Sequence, residues 1–129
     1  MSDDDDIRAL LATRIEALER KDAASANQVL DRDIVAFEVA GPLQVPPSEV
    51  TDDALTQAWL DSFHEGPVVT MEELSICAEG TTAFCHSLNR LKGRHVDGRE
   101  VDVRMRSTLG LRKAGGSWTI VHSHTSMPR

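Results

Sequence analysis

The sequence predicts an α+β domain, a set of N-terminal helices packed on one face of a strongly curved antiparallel sheet. Three observations carry that expectation. The opening stretch spaces its apolar residues as a helix does. From Val68 onward the rhythm changes to the alternation of strands. Those strands are separated by "HVDGR" and "KAGGS", whose Asp97–Gly98 and Gly115–Gly116 pairs supply the positive φ that tight hairpin turns need. Helices first and a meander afterwards is the segregation of an α+β fold.

Taken in order, "SDDDDIRALLATRIEALERKD" reads as the first helix. Ile7, Leu10, Leu11, Ile15 and Leu18 gather into one apolar stripe. Ser2 with an acid three residues later forms a capping box, and the aspartate run opposes the positive end of the helix dipole. Asp22 is the expected N-cap of a short second helix, "AASANQVL", ending near Asp31. "DIVAFEVAGPL" follows as a strand or a bent pair of strands, rich in β-branched residues and closed by Gly41–Pro42. "QVPPSEV" is expected to be irregular, since adjacent prolines fix φ and remove donors. Thr51 is the expected cap of a third helix, "DDALTQAWLDSFHE", with Leu55, Ala58, Trp59 and Phe63 on one side.

Four strands are then expected, at about 68–78, 81–92, 100–113 and 117–125. The third alternates most cleanly. Val101, Val103, Met105, Leu109 and Leu111 share one face, and Asp102, Arg104, Arg106, Thr108 and Arg112 the other. The apolar face should look toward the helices, provided no bulge interrupts the strand.

The 129 residues amount to one domain spanning 1–129, with no repeat, linker or low-complexity block. The net charge of −7 owes much to Asp3, Asp4, Asp5 and Asp6. An acidic chain with no basic stripe is a poor partner for nucleic acid. No apolar run suits a membrane helix, and the acidic start is the opposite of a signal peptide's basic one. Cys77 and Cys85 are expected to be reduced residues on neighbouring strands, although a bridge between them is conceivable. A cytoplasmic protein is the resulting expectation.

With the elements in place, "VAFEVAGPL", "HSLNRLKG", "RSTLGLRK" and "WTIVHSH.S.P" resemble the SnoaL-like branch of the NTF2-like superfamily, relatives of ketosteroid isomerases and polyketide cyclases. The resemblance covers nearly the whole chain. It implies a cone, in which the bent sheet wraps the first helix and leaves a cavity at its open end. It also implies a homodimer formed through the outer face of the sheet, and activity without a cofactor.

A ketosteroid isomerase needs a carboxylate base and hydrogen-bond donors for the dienolate oxygen, supplied by a tyrosine and a protonated aspartate. Glu38 falls where the resemblance implies the base, and a carboxylate facing an apolar cavity would have its pKa raised. The alternative is a solvated glutamate on an edge strand. The donors are missing. The chain has no tyrosine. Arg14 stands at the position matching the family's tyrosine and Met105 at the position matching its acidic partner, so steroid isomerisation is disfavoured.

What could replace those donors is a set of histidines. Matching the last strand to the family turns Trp118, Ile120, His122 and His124 into the cavity, since residues two apart share a face. His86 shares its strand face with Phe84 and Leu88, so three imidazoles may converge beside Glu38 as an acid–base site. Structural roles for each imidazole remain open: His124 near the chain end as an exposed or dimer-contact residue, His86 as a core histidine. The H-x-H pair also has zinc-ligand chemistry, but its spacing is unspecific and no metal is expected. His64 and His95 are read as residues of a helix end and a hairpin turn without chemistry. The helical spacing of Trp59 and Phe63 reads as core packing, and the resemblance implies that they also form one wall of the cavity. Arg106 would suit a ligand carboxylate only if a bulge turned it inward.

Two functions follow from this reading. One is a cofactor-independent isomerase, cyclase or hydratase acting on a small apolar ketone-like molecule. The other is a non-catalytic module that binds a ligand or dimerises.

Overall fold

The computed structural model describes residues 2–128. Helix α1 runs over Asp3–Glu19 and starts on the capping box: Asp5 N donates to Ser2 Oγ at 3.1 Å, and Ser2 N donates to the Asp5 carboxylate at 3.4 Å. Ile7, Leu11, Ala17 and Leu18 are its buried side chains. Helix α2, Ala23–Asn27, is capped by Asp22, whose carboxylate accepts from Ser25 N. It is shorter than its sequence suggests, because Leu30 already belongs to strand β1, Leu30–Phe37.

The double proline does not exclude helix. Pro47 opens a single turn, α3, Pro47–Val50. A proline at the first helical position loses no intrahelical bond, because that N–H has no partner inside the helix. Helix α4, Asp53–Asp61, takes its cap from Asp52 and not from Thr51; the Asp52 carboxylate accepts from Ala54 N at 2.9 Å. Its one buried residue is Leu60, while Leu55, Ala58 and Trp59 remain exposed.

The sheet has the order β1-β5-β4-β3-β2, with β2 at Phe63–Glu79, β3 at Thr82–His95, β4 at Glu100–Ala114 and β5 at Ser117–Ser126. The last four form the expected meander, and β1 joins its edge parallel to β5. Gly115 and Gly116, at φ 58° and 80°, make the turn between β4 and β5. Gly66–Pro67 lies inside β2, so it marks an irregularity in that strand and not its beginning. Three register shifts bend β2, and Glu73 adopts a φ of 52° next to one of them. Each shift inserts unpaired chain on one side of the ladder, which increases local twist and curls the sheet.

The core lies where the start of α1 meets the sheet. Ile7 and Leu11 pack in one cluster with Ile34, Ala83, Cys85, Leu111, Trp118 and Ile120. A second cluster joins Ala17 and Leu18 of α1 to Ala23, Ala26 and Leu60. Gly93 of β3 permits a close approach to Phe63 of β2. A Cβ there would stand 2.7 Å from Phe63 Cδ1, so Phe63 occupies the space that any other residue's side chain would fill.

Cys77 and Cys85 are free. Cys77 pairs with Phe84 in the ladder and Cys85 with Ile76, which places the two thiols on opposite faces. A bridge between them is sterically impossible in this fold. Among the described residues no helix is long and apolar enough to cross a membrane.

Candidate functional site

A cavity of about 530 Å³ opens between α1, the β1–α3 segment, α4 and the inner face of the sheet. Leu11, Ile15 and Leu18 line it from the helix, Leu30 and Ile34 from β1, and Met71, Leu91, Met105 and Leu109 from the strands. Its size and apolar lining fit a small organic ligand.

The alternation read in β4 holds over the whole strand. The β3–β4 register is uninterrupted from Thr82↔Arg112 to Arg94↔Glu100. Met105 therefore faces the cavity, and Arg106 faces outward, away from any ligand inside.

Strand β5 is different. Leu111 pairs with Ile120, but the next β4 residue, Gly110, pairs with His122, so Val121 is one residue too many. A one-residue insertion exchanges the faces of everything beyond it. Trp118 and Ile120 point inward; His122 and His124 point outward, and Ser123 and Thr125 line the cavity in their place. The expected inward pair of imidazoles is thus corrected. His122 holds Val35 O at 2.8 Å through Nδ1, and both imidazoles meet the ring of Phe37 edge-on, at centroid distances of 5.3 and 5.4 Å. Since a carbonyl only accepts, Nδ1 carries the proton.

His86 is also corrected. It lies on the exposed outer face of β3 with Phe84 and Leu88, which are 52% and 41% exposed. The inward residues on the part of that strand around His86 are the small Ala83, Cys85 and Ser87, and Ala83 and Cys85 pack in the core with Ile7 and Leu11 of α1. Phe63 is 2% exposed and does not line the cavity; it packs against Trp59 and stacks on His95 at 4.4 Å. Trp118 is inward but sealed in the core at the closed end of the cone, beside Ile7 and Leu11. Glu38, Trp59, Met105 and Ile120 are the expected site residues that the fold brings to the cavity. Among the described residues no three His, Cys, Asp or Glu side chains converge as a metal cage.

The polar groups on the wall are Arg14, Asn27, Glu38, Glu49, Thr56, Asn89, Ser107, Ser123 and Thr125. Three of them are already hydrogen-bonded: Asn27 Nδ2 donates to Asp53 and to Thr56 Oγ1 at 3.1 and 2.9 Å, and Asn89 Oδ1 accepts from Ser87 Oγ at 2.7 Å. Arg14 is the wall's one cation among the described residues. Its Nε donates to Ala26 O at 3.2 Å, which fixes the guanidinium between α1 and α2. Burial pulls its pKa below the ordinary arginine value, and the charge of Glu38 opposes that shift. The group still carries its charge at neutral pH.

Two sequence signals mark residues that the histidine reading passed over. Arg14 interrupts the apolar stripe of α1 between Leu11 and Leu18. Ser107 stands at an inward position of β4 between Met105 and Leu109. A polar residue inside an apolar period is the kind of exception that points to a site.

The fold and its cavity define a cone-shaped α+β domain open at one end. A family model described as a SnoaL-like domain matches residues 7–129, and the chain belongs to that family. Solved structures agree. An NTF2-like protein of unknown function from Pseudomonas putida KT2440 is 29% identical, with a TM-score of 0.80 over 99% of this chain and 89% of its own. An NTF2-like protein from Cytophaga hutchinsonii shares the fold at 17% identity, TM-score 0.81, covering 99% and 100% of the two chains. A protein with a cystatin-like fold from Caulobacter vibrioides does so at 16% identity, TM-score 0.78, covering 97% and 89%. No curated protein matches the sequence.

Proposed function

We propose that the chain binds a small apolar carbonyl compound in the cone cavity and transfers protons on it without a cofactor, with Glu38 as the base. The observation that carries this is the placement of Glu38 on the wall of an otherwise largely apolar cavity that also holds Arg14. The Glu38 carboxylate takes a proton from the carbon next to the carbonyl, and the electron pair moves onto the carbonyl oxygen. Asn89 and Ser107, which also line the cavity, would supply the hydrogen-bond donors for the charge on that oxygen. Returning the proton to the same or another carbon gives exchange or isomerisation; attack of the enolate on a second carbonyl gives cyclisation.

The test uses 2-decanone in D2O. Binding is read from the fluorescence of Trp59, which lines the cavity, with Trp59→Phe as the control for the buried Trp118. Hydrogen exchange at the carbons beside the carbonyl is read by NMR. Quenching with exchange that falls about 100-fold or more in Glu38→Gln supports the enzyme. Quenching without exchange leaves a binding module, and no quenching overturns both.

We also propose that a second copy of this chain covers the outer sheet face. Phe84 and Leu88 leave apolar surface there, and Glu72 and Arg104, ion-paired at 2.7 Å, show that the face carries charges of both signs. Such a mixed face can meet itself across a two-fold axis. Sedimentation of a dimer that becomes a monomer in Phe84→Lys/Leu88→Lys supports it, and a monomeric wild type overturns it. The two free thiols suit the reducing cytoplasm as its location.

A further inference from the structure

We infer that the ligand of the cavity is an apolar carboxylate, and that Arg14 is the residue that holds its head group. This rests on the cavity being a ligand site, as proposed above, and adds the chemical class. Arg14 lines the cavity, yet among the described residues its single hydrogen bond is made by Nε to Ala26 O, leaving the two terminal nitrogens without a protein acceptor. None of the ion pairs of the described residues includes it. Glu38 and Glu49 share the wall, and the charge of Glu38 is felt at Arg14, but neither carboxylate pairs with it directly.

A half-buried guanidinium on an apolar wall without a direct counter-charge is a costly arrangement. Neutral ligands relieve it poorly. A ketone oxygen accepts one or two hydrogen bonds and leaves the positive charge uncompensated. A carboxylate matches the planar fork with two parallel hydrogen bonds and cancels the charge. The guanidinium is also preorganised for this role, since its Nε contact to α2 fixes the plane of the fork. Leu11, Ile15 and Leu18 flank Arg14 on the wall, so the part of the molecule that packs against them is apolar. A compound with both a carboxylate on Arg14 and a carbonyl near Glu38 would be an apolar oxo-acid.

The test is calorimetric titration of the whole protein at neutral pH with decanoate, 2-decanone and decan-1-ol, which share a chain length and differ in head group. The expected result is that decanoate binds about 10-fold or more tightly than either neutral compound. Arg14→Met should remove that preference, lowering the affinity for decanoate about 10-fold more than that for 2-decanone; Arg14→Lys should keep part of it. Equal affinities for the three compounds in the wild-type protein would overturn the role of Arg14 and leave the ligand site standing. Binding of none of them would overturn the site itself and this inference with it. The wild-type comparison decides the matter even where Arg14→Met does not fold.

Discussion

The imidazole of His122 donates from Nδ1 to the main-chain carbonyl of Val35 at 2.8 Å, on the side of the sheet away from the cavity. The contact ties β5 to β1, the one parallel pair in the sheet. His122→Ala is expected to destabilise the protein by ~1 kcal/mol, the ordinary worth of such a bond. His86→Ala, His122→Ala and His124→Ala should all leave the affinity for a cavity ligand unchanged. Urea denaturation and ligand titration measure the two effects separately, and lost affinity in a folded His122→Ala would return the histidines to the site.

Gly93 tests the packing at the edge of the cone. A methyl group there would meet Phe63 Cδ1 at 2.7 Å and Glu65 O at 2.8 Å, so ring or backbone must shift. Gly93→Ala should cost ~1–3 kcal/mol by urea denaturation, the range for overpacking. An unchanged midpoint would mean that Phe63 has room the structure does not show.

The two cysteines should differ sharply in reactivity. Cys77 is exposed, whereas burial pushes the Cys85 thiol up to about 11, opposed by a backbone hydrogen bond at Leu109. Thiolate is the reactive form. With a disulfide reagent at neutral pH, one thiol should titrate in the native protein and the second only after unfolding. Two thiols reacting together in the native state would contradict the burial of Cys85.

The start of α1 is fastened to β4 by Lys113 Nζ, which donates to Asp3 Oδ1 at 2.9 Å. That hydrogen bond is the main reason the Asp3 carboxyl sits below its ordinary value of 3.8. A depressed carboxylate pKa means that its stabilisation is present above the unfolded-state value and is lost as the pH falls through the folded one. The melting temperature of Asp3→Asn should therefore lie below that of wild type at neutral pH. The gap should close as the pH falls below 3.8, and a gap that persists there would assign it to helix capping and not to the ion pair.

The helices and the meander were legible because each rests on a local periodicity: the stripe of Ile7, Leu11 and Leu18 in α1, and the alternation from Val101 to Leu111 in β4. The site was legible only in part. Glu38 and Met105 reach the cavity as expected, and Arg14 was visible as a charge within an apolar stripe. His122 and His124 were misplaced for one reason. Reading a strand assigns faces by counting in twos, and a single unpaired residue reverses the count.

The sequence by itself thus determined the α+β class, the helices-then-meander order and the polar outer face of β4, all properties of contacts near in the chain, but not the helical turn Pro47–Val50 or the start of β2 at Phe63. The tertiary structure decided which chemistry lines the cavity. The bulge at Val121 lies where β5 pairs with β4 on one edge and with β1, distant in the chain, on the other. The bulge sends His122 and His124 outward and brings Ser123 and Thr125 to the cavity wall, where Arg14 of α1 is the one cation among the described residues.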